Sequence, residues 1–267
     1  MRAMKAWKST PDPILSIRQV PQAAQRTQDQ IPLGRGDNQA SDNWAGWVNT
    51  GGNNTNYGAQ ADFIAPNVGA PCNAGLPAVM AIWTGMGGDG GDNNLIQSGI
   101  AVGEGLGGPT VWQAWWELVA TGTGLWPPVE LTDNTAALSI HPDDSIYSKT
   151  YYNPGNDSAL FYLEDVTTGV AASFTATGGI TGPPSSYYDG TTADFILEFP
   201  HWYAGGQQGF APFQQFAFVN SEAFNYSGSW ATIGTYPRAQ VGTSPYFNSG
   251  PLGADGASFA VGWQRCP

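Results

Sequence analysis

The chain has 267 residues and a formal net charge of −12, with only 11% charged residues, against roughly 25% in an ordinary soluble domain. Six of its nine Lys and Arg residues lie in the first 36 positions, so that three basic residues accompany nineteen acidic ones from residue 37 onward. This imbalance argues against a nucleic-acid partner, which needs clustered Lys and Arg, and no apolar run is long enough to span a membrane.

The chain divides near residue 37. Residues 1–36 are basic and carry four prolines without any sustained hydrophobic periodicity, which indicates an extended arm rather than a folded unit. The start of the chain also lacks the apolar stretch of a signal peptide. We therefore predict an N-terminal arm over residues 1–36 and one folded domain over residues 37–267.

Short runs of Val, Ile, Phe, Tyr and Trp fill the domain and alternate with clusters of Gly, Asn, Asp and Pro, which is typical of all-β proteins. In chain order the predicted strands cover residues 41–48, 57–64, 78–84, 95–102, 110–119, 136–140, 145–151, 159–165, 170–175, 194–199 and 215–220. Their number and spacing predict an antiparallel β-sandwich of two packed sheets, similar to the concanavalin or jelly-roll type.

Successive side chains of a strand point to opposite faces, so two of these strands predict a core face and a ligand-binding face. The more polar face carries Asp194, Ile196, Glu198, Gln113, Trp115 and Glu117. The apolar face carries Ala193, Phe195, Leu197, Phe199, Trp112, Ala114 and Trp116. With aromatic residues on both faces, we expect a core on one side and a ligand groove on the other.

Six short motifs follow one another along the domain. They are Ser41 to Gly46, Ile82 to Gly85, Leu95 to Gly99, Ala114 to Glu117, Leu163 to Gly169 and Ala193 to Glu198. In this order they resemble the glutamic peptidases, the G1 or eqolisin family, over most of residues 41–224. The resemblance implies two antiparallel sheets with a concave cleft, and a secreted endopeptidase that works in acid. It also implies a precursor with an inhibitory pro-segment, which we assign to residues 1–36.

The resemblance can be carried over residue by residue. Gln97 and Glu198 match the catalytic pair of the family, Trp83 matches a tryptophan of the cleft, and Glu117 matches a supporting acid. The predicted substrate-binding set is Trp83, Trp115, Glu117 and Asp194. The chain departs from the family in two places, at Met86-Gly87 and at Ile100-Ala101, where the family usually has an Asp residue.

A glutamate and a glutamine can hydrolyse a peptide bond without a metal or cofactor. An ionised Glu198 would take a proton from a water placed over the scissile carbonyl, and Gln97 would donate its amide N–H to the developing oxyanion. Because the partner is a neutral amide, no second carboxylate is expected to compete with Glu198 for a proton.

Two alternatives remain open at this point. A glycoside hydrolase would use Glu117 and Glu198 as an acid and base pair in a Trp-lined cleft, and Gln97 would be dispensable. A noncatalytic sandwich would instead bind sugar or peptide on a stacking platform of tryptophans: Trp83, Trp115 and Trp116.

Other chemistries lack their residues. His141 and His201 are too few and too far apart in the sequence for a catalytic triad or a zinc site, so we predict no metal and no cofactor. The sequence leaves open whether Cys72 and Cys266 form a disulfide. We expect a secreted monomer, from which a signal peptide has been removed, that acts on protein or peptide substrates.

Overall fold

The computed structural model describes residues 41, 43–50, 56–73, 78–88, 95–103, 108–120, 124–125, 129–130, 138–156, 158–177, 191–200, 209–225, 227–242 and 245–267. The predicted arm over residues 1–36 lies outside these ranges, and so does His201. The division of the chain into an arm and a domain therefore stays a prediction.

Almost all regular structure in the described residues is β-strand. The strands are β1 Trp44–Asn49, β2 Asn56–Ile64, β3 Val79–Gly87, β4 Leu95–Gly103, β5 Gly108–Ala120, β6 Gly124–Leu125, β7 Val129–Glu130, β8 Ser145–Asn153, β9 Ser158–Asp165, β10 Val170–Thr177, β11 Ala193–Glu198, β12 Phe216–Asn225, β13 Trp230–Thr232, β14 Arg238–Val241, β15 Phe247–Ser249 and β16 Phe259–Trp263. A short 3-10 helix covers Ile233–Thr235. Within the described ranges, no helix has the length and apolarity to cross a membrane.

The strands form two sheets, which we call the front sheet and the back sheet. The front sheet has the order β14-β1-β11-β3-β4-β5-β6, with β7 beside β5. The back sheet has the order β10-β9-β8-β2-β12-β16-β15, with β13 beside β12. All of these strands pair antiparallel to their neighbours. The predicted antiparallel sandwich is therefore confirmed.

Ten of the eleven predicted strands match observed strands to within a few residues. The predicted strand at 136–140 is described only from residue 138, and there Ile140 forms an isolated bridge with Trp112. The prediction missed the strands after residue 225, which have three to five residues each. Strands this short show too little alternation to be recognised in a sequence.

The core lies between the two sheets and contains the side chains predicted for the apolar face. Trp112 and Phe195 from the front sheet are buried with Phe161 and Phe218 from the back sheet. Trp116 stacks on Phe161 with a ring-centroid distance of 5.1 Å and thereby joins β5 to β9. The predicted alternation along β5 and β11 is confirmed.

A group of four buried hydroxyls also joins the sheets, and each hydroxyl has a hydrogen-bond partner. Ser98 Oγ lies 2.8 Å from Thr150 Oγ1, and Thr84 Oγ1 lies 3.0 Å from Ser148 Oγ. Thr150 Oγ1 also donates to the carbonyl oxygen of Thr84 at 2.9 Å. Because partnered polar groups in a core specify one arrangement, these contacts hold β3 and β4 in a defined position over β8.

Cys72 and Cys266 form a disulfide, which answers the question that the sequence left open. Their Cα atoms lie 5.6 Å apart, and the bridge joins positions separated by 194 residues. A bond that closes so long a loop removes much conformational freedom from the unfolded chain.

We predict that replacing both cysteines, Cys72→Ser with Cys266→Ser, lowers the free energy of unfolding by about 2–4 kcal/mol, because the unfolded chain regains the freedom of the open loop. Urea unfolding followed by tryptophan fluorescence measures the change. A reducing agent should destabilise the unsubstituted protein by a similar amount and leave the double variant unaffected. Equal unfolding midpoints for the two proteins would contradict the prediction.

Candidate active site

The front sheet has a second face, turned away from the back sheet, which we call the outer face. An apolar cluster separate from the core lies on it: Val48, Ala81, Trp83, Leu95, Ala101, Trp115, Ile196 and Val241. The residues that alternate with the core positions along β4, β5 and β11 bring four polar side chains to the same face: Gln97, Glu117, Asp194 and Glu198. Each polar group on this face therefore has apolar neighbours.

Gln97 and Glu117 are direct cross-strand partners on β4 and β5. Gln97 Nε2 donates to Glu117 Oε2 at 2.6 Å. The side chain of Gln97 is buried, and its other polar atom, Oε1, has no hydrogen-bond partner. The amide is thus held from one side, with its oxygen available to another donor.

The environment of Glu117 favours its neutral form. Burial raises the pKa of the Glu117 carboxyl to about 7, although the hydrogen bond from Gln97 acts in the opposite direction. The negative charge of Glu198 raises this pKa further. The sequence had indicated that Glu198 would have no carboxylate neighbour, and the structure corrects this, because the charges of Glu117 and Glu198 interact.

Glu198 is held by two donors that stabilise its negative charge. Trp83 Nε1 donates to Glu198 Oε2 at 2.9 Å, and Asn43 Nδ2 donates to Oε1 at 3.4 Å. Trp44, the cross-strand partner of Glu198 on β1, packs its ring edge-on against Trp83 at 5.0 Å. Sequence reasoning gave no role to Asn43 or Trp44, although both belong to the first of the six motifs.

Two glycines leave room for Trp83. A Cβ on Gly85 would lie 2.9 Å from Trp83 Cζ3 and 2.9 Å from the carbonyl oxygen of Ile96. A Cβ on Gly99 would lie 2.7 Å from Trp83 Cα and 2.0 Å from the carbonyl oxygen of Ile82. Both positions therefore require glycine, and the space that a side chain at Gly85 would fill is taken by the Trp83 ring and the Cβ of Gln97.

Asp194 stands on the other side of Gly85. Gly85 pairs with Gln97 on β4 and with Asp194 on β11, so that one row crosses four strands: Glu117, Gln97, Gly85 and Asp194. Asp194 is fully buried, and Thr192 Oγ1 donates to its Oδ2 at 3.3 Å. Thr192 Oγ1 also accepts a bond from the backbone N–H of Gly87 at 2.9 Å.

The register separates the two β11 carboxylates. Gln97 and Asp194 are two strands apart in one row, which places their Cα atoms about 10 Å from each other with both side chains on the same face. Glu198 lies four residues further along β11, opposite Ala81, which adds about 13 Å along the strand. The side chain of Glu198 nevertheless reaches back toward the row of Gln97, because it bonds to Trp83 in the row between them and its charge acts on Glu117, which contacts the Gln97 amide.

Trp115 lies in the next row of the outer face, opposite Gly99. It is buried, and its indole N–H has no hydrogen-bond partner. The structure thus places all six predicted site residues on the outer face. Their contact with substrate remains a prediction.

The described residues contain no group of three or more His, Cys, Asp or Glu side chains placed to hold a metal ion. His141 lies in a turn with 59% of its side chain exposed, and its Nδ1 is 3.8 Å from Asp144 Oδ2. Its acidic neighbour belongs to the same turn, and we assign this histidine no role in the site.

Comparison with known proteins gives a family and a fold. A model of the peptidase A4 family matches residues 42–243. Two solved structures of scytalido-glutamic peptidase, one with a transition-state analogue inhibitor and one with a peptide-based transition-state analogue, superpose with TM-scores of 0.62 and 0.61 at 18% sequence identity. Each alignment covers 84% of this chain and 98% of the peptidase chain.

A third solved structure is SCP-B, a member of the eqolisin family of peptidases, in a complex with the tripeptide Ala-Ile-His. It has a TM-score of 0.60 at 17% identity and the same coverage of both chains. At such identities the likeness concerns the fold. Comparison with curated proteins finds no match.

We predict that the protein is more stable in mild acid than at neutral pH. An unfolded chain releases the Glu117 proton near pH 4.5, whereas the folded chain keeps it up to about pH 7. The stability from this group is therefore complete below pH 4.5 and is lost as the pH rises to 7, by on the order of 3 kcal/mol.

Unfolding by urea at a series of pH values tests this expectation. Glu117→Gln, which cannot titrate, should flatten the curve between pH 4.5 and 7. An unchanged curve in this variant would show that Glu117 is not the source of the pH dependence.

Asp255 affects stability in the opposite direction. Burial opposes the ionisation of its carboxyl, but hydrogen bonds from Ser258 and from backbone N–H groups outweigh burial and lower its pKa. The stability that the ionised Asp255 contributes is therefore lost in stronger acid.

Proposed function

The chain belongs to the peptidase A4 family of glutamic endopeptidases, and from that premise we propose that Gln97 and a carboxylate of β11 add water to the peptide bonds of protein and peptide substrates. The observation that carries the proposal is that Glu117 connects the two groups on the outer face: it accepts a bond from Gln97 Nε2, and the charge of Glu198 acts on it. Family membership decides against the two alternatives drawn from the sequence, a glycoside hydrolase and a noncatalytic binding domain.

Gln97 has the chemistry to stabilise a tetrahedral intermediate. Its Nε2 carries two hydrogens, of which one is directed to Glu117, and the second can be donated to an oxyanion. The apolar residues around the amide keep bulk water away, which strengthens such a hydrogen bond.

The identity of the base follows from weighing register against exposure. Glu198, the base predicted from the sequence, is partly exposed, and Trp83 and Asn43 orient its carboxylate and stabilise its charge. Asp194 is fully buried and accepts a bond from Thr192. Because a base must reach water and substrate, we propose Glu198 as the base and Asp194 as a residue that supports the site.

The proposed reaction needs no group from outside the protein. Glu198 takes a proton from the water while the water oxygen bonds to the scissile carbonyl carbon, and the carbonyl oxygen becomes the oxyanion that Gln97 Nε2 stabilises. The C–N bond then breaks, and Glu198 returns the proton to the leaving amine. The products are a carboxylic acid and an amine.

Substrate binding is proposed to use the apolar cluster on the same face. Trp83 and Trp115 lie in the row beside Gln97 and present aromatic rings near the reacting groups. SCP-B was solved with a bound tripeptide, and we propose that this chain accepts an extended peptide over the same kind of sheet face. The indole N–H of Trp115 is available to bind a carbonyl group of such a peptide.

Cleavage of an unfolded protein substrate in acid tests the catalytic assignment. Gln97→Ala and Glu198→Gln should each lower kcat about a hundredfold or more, because one loses the oxyanion donor and the other the base. Glu198→Asp keeps a carboxylate and should retain more activity than Glu198→Gln. Asp194→Asn should lose less than either.

Folding of every variant is checked by near-UV circular dichroism. If Asp194→Asn abolishes cleavage while Glu198→Gln does not, Asp194 is the base and the assignment of Glu198 is wrong. If Gln97→Ala cleaves as fast as the unsubstituted protein, the amide has no catalytic role and the proposed mechanism is wrong.

We further propose that the protein is secreted and that residues 1–36 inhibit it until acid releases them. The Cys72–Cys266 disulfide supports an oxidising compartment. Six basic residues in the first 36, against nineteen acidic ones in the remainder, support an attraction that weakens when the carboxylates are protonated.

A chain that begins at Asp37 should therefore cleave substrate at near-neutral pH faster than the full chain, and the two should converge after incubation in acid. Mass spectrometry of the acid-treated full chain should show that the arm has been cut off. Equal activity of the two chains before acid treatment would contradict an inhibitory arm.

A further inference from the structure

One polar atom of the row is left without a partner. Gln97 Nε2 donates to Glu117 Oε2 at 2.6 Å, whereas Gln97 Oε1 is buried and accepts no hydrogen bond. Burial of an amide oxygen without a donor is costly, and such atoms in native proteins usually indicate a proton or a bound group that completes them. A donor is therefore expected next to Gln97.

The side chains around Gln97 offer one such donor, since the indole N–H of Trp115 in the next row makes no hydrogen bond to Oε1. The residue of β3 that pairs with Gln97 is Gly85, which has no side chain. The next residue of β3 on the same face is Trp83, whose indole N–H is already bonded to Glu198. Glu117 stands on the other side and already contacts the amide. A carboxylate can only accept, but a neutral carboxylic acid has one O–H to donate.

We propose that Glu117 is a positioning residue that acts as the neutral acid, donating its O–H to Gln97 Oε1 while its other oxygen accepts from Gln97 Nε2. The two hydrogen bonds close a ring between acid and amide and fix the plane of the amide. One Nε2–H then points away from Glu117 and can be donated to another group. This inference rests on the proposed function, because that N–H is the donor to the oxyanion.

The surroundings of Glu117 keep it neutral in acid. Its apolar environment raises its pKa to about 7, and Glu198 adds to the rise. The other titratable group of the row is Asp194, at the far end, while the described parts of β3, β4 and β6 contribute no titratable residue to this face. On β7, Glu130 pairs with Trp115 rather than with Glu117.

The reaction should consequently slow as Glu117 ionises. Above about pH 7 the O–H is lost, Gln97 Oε1 loses its donor, and the amide keeps a single contact about which it can turn. Glu117, which matches a supporting acid of the family, is thus assigned a neutral carboxyl group and a hydrogen bond to Gln97 Oε1.

Two substitutions separate a neutral donor from an ionised acceptor. In Glu117→Gln the new amide can both donate to Gln97 Oε1 and accept from Nε2, so kcat in acid should fall by less than about tenfold, and the decline of kcat near pH 7 should disappear. Glu117→Leu can do neither and should lose about a hundredfold in kcat at every pH. If Glu117→Gln is as inactive in acid as Glu117→Leu, or keeps the decline near pH 7, the inference is overturned.

A second measurement does not depend on peptidase activity. The side-chain NH2 signals of Gln97, assigned in 15N-labelled protein with the help of Gln97→Ala, should shift with a midpoint near pH 7, and Glu117→Gln should abolish that shift. Signals that do not respond to pH would overturn the inference even if the protein cleaves peptides. A clear midpoint in a protein that cleaves no peptide would instead reject the proposed function and leave the acid and amide pair in place.

Discussion

The register of four neighbouring strands, β11, β3, β4 and β5, is the constraint on which the site depends. Because side chains alternate between faces, a slip of one residue would turn Gln97 into the core and bring an apolar residue to the outer face. The buried hydroxyls of Ser98 and Thr84 oppose such a slip. Ser98 follows Gln97 in the chain and Thr84 follows Trp83, and both hydroxyls form hydrogen bonds with residues of β8. Stability of the core and geometry of the site are thus enforced by the same pairs of strands.

Electrostatics on the outer face follows from the shortage of cations. From residue 37 onward, three Lys or Arg residues accompany nineteen Asp or Glu residues, and one of the three, Arg238, bonds to backbone carbonyls. Few carboxylates are therefore stabilised by an opposite charge, and hydrogen bonds or burial decide their state. Two acids on one face can then differ in behaviour, with Glu117 favouring its neutral form through burial and Glu198 stabilised as an anion by N–H donors.

The sequence predicted the features that depend on the alternation of side chains along a strand. The two faces of β5 and β11 were correct, since a period of two is visible in six or seven residues. Which carboxylate stands opposite Gln97 was not visible, because that depends on register across β3, and a sequence does not show how far neighbouring strands are displaced. The contacts of Asn43, the short strands β13 to β16 and the pairing of Cys72 with Cys266 depend in the same way on distant parts of the chain meeting.

The disulfide affects what happens when one molecule of this peptidase cleaves another. Any single cut between Cys72 and Cys266 leaves both pieces covalently joined. Such a cut also leaves strands of both pieces interleaved in the sheets, since β1 lies between β11 and β14, and β2 lies between β8 and β12. A nicked molecule therefore keeps its parts together, which gives the protein a built-in tolerance of autolysis.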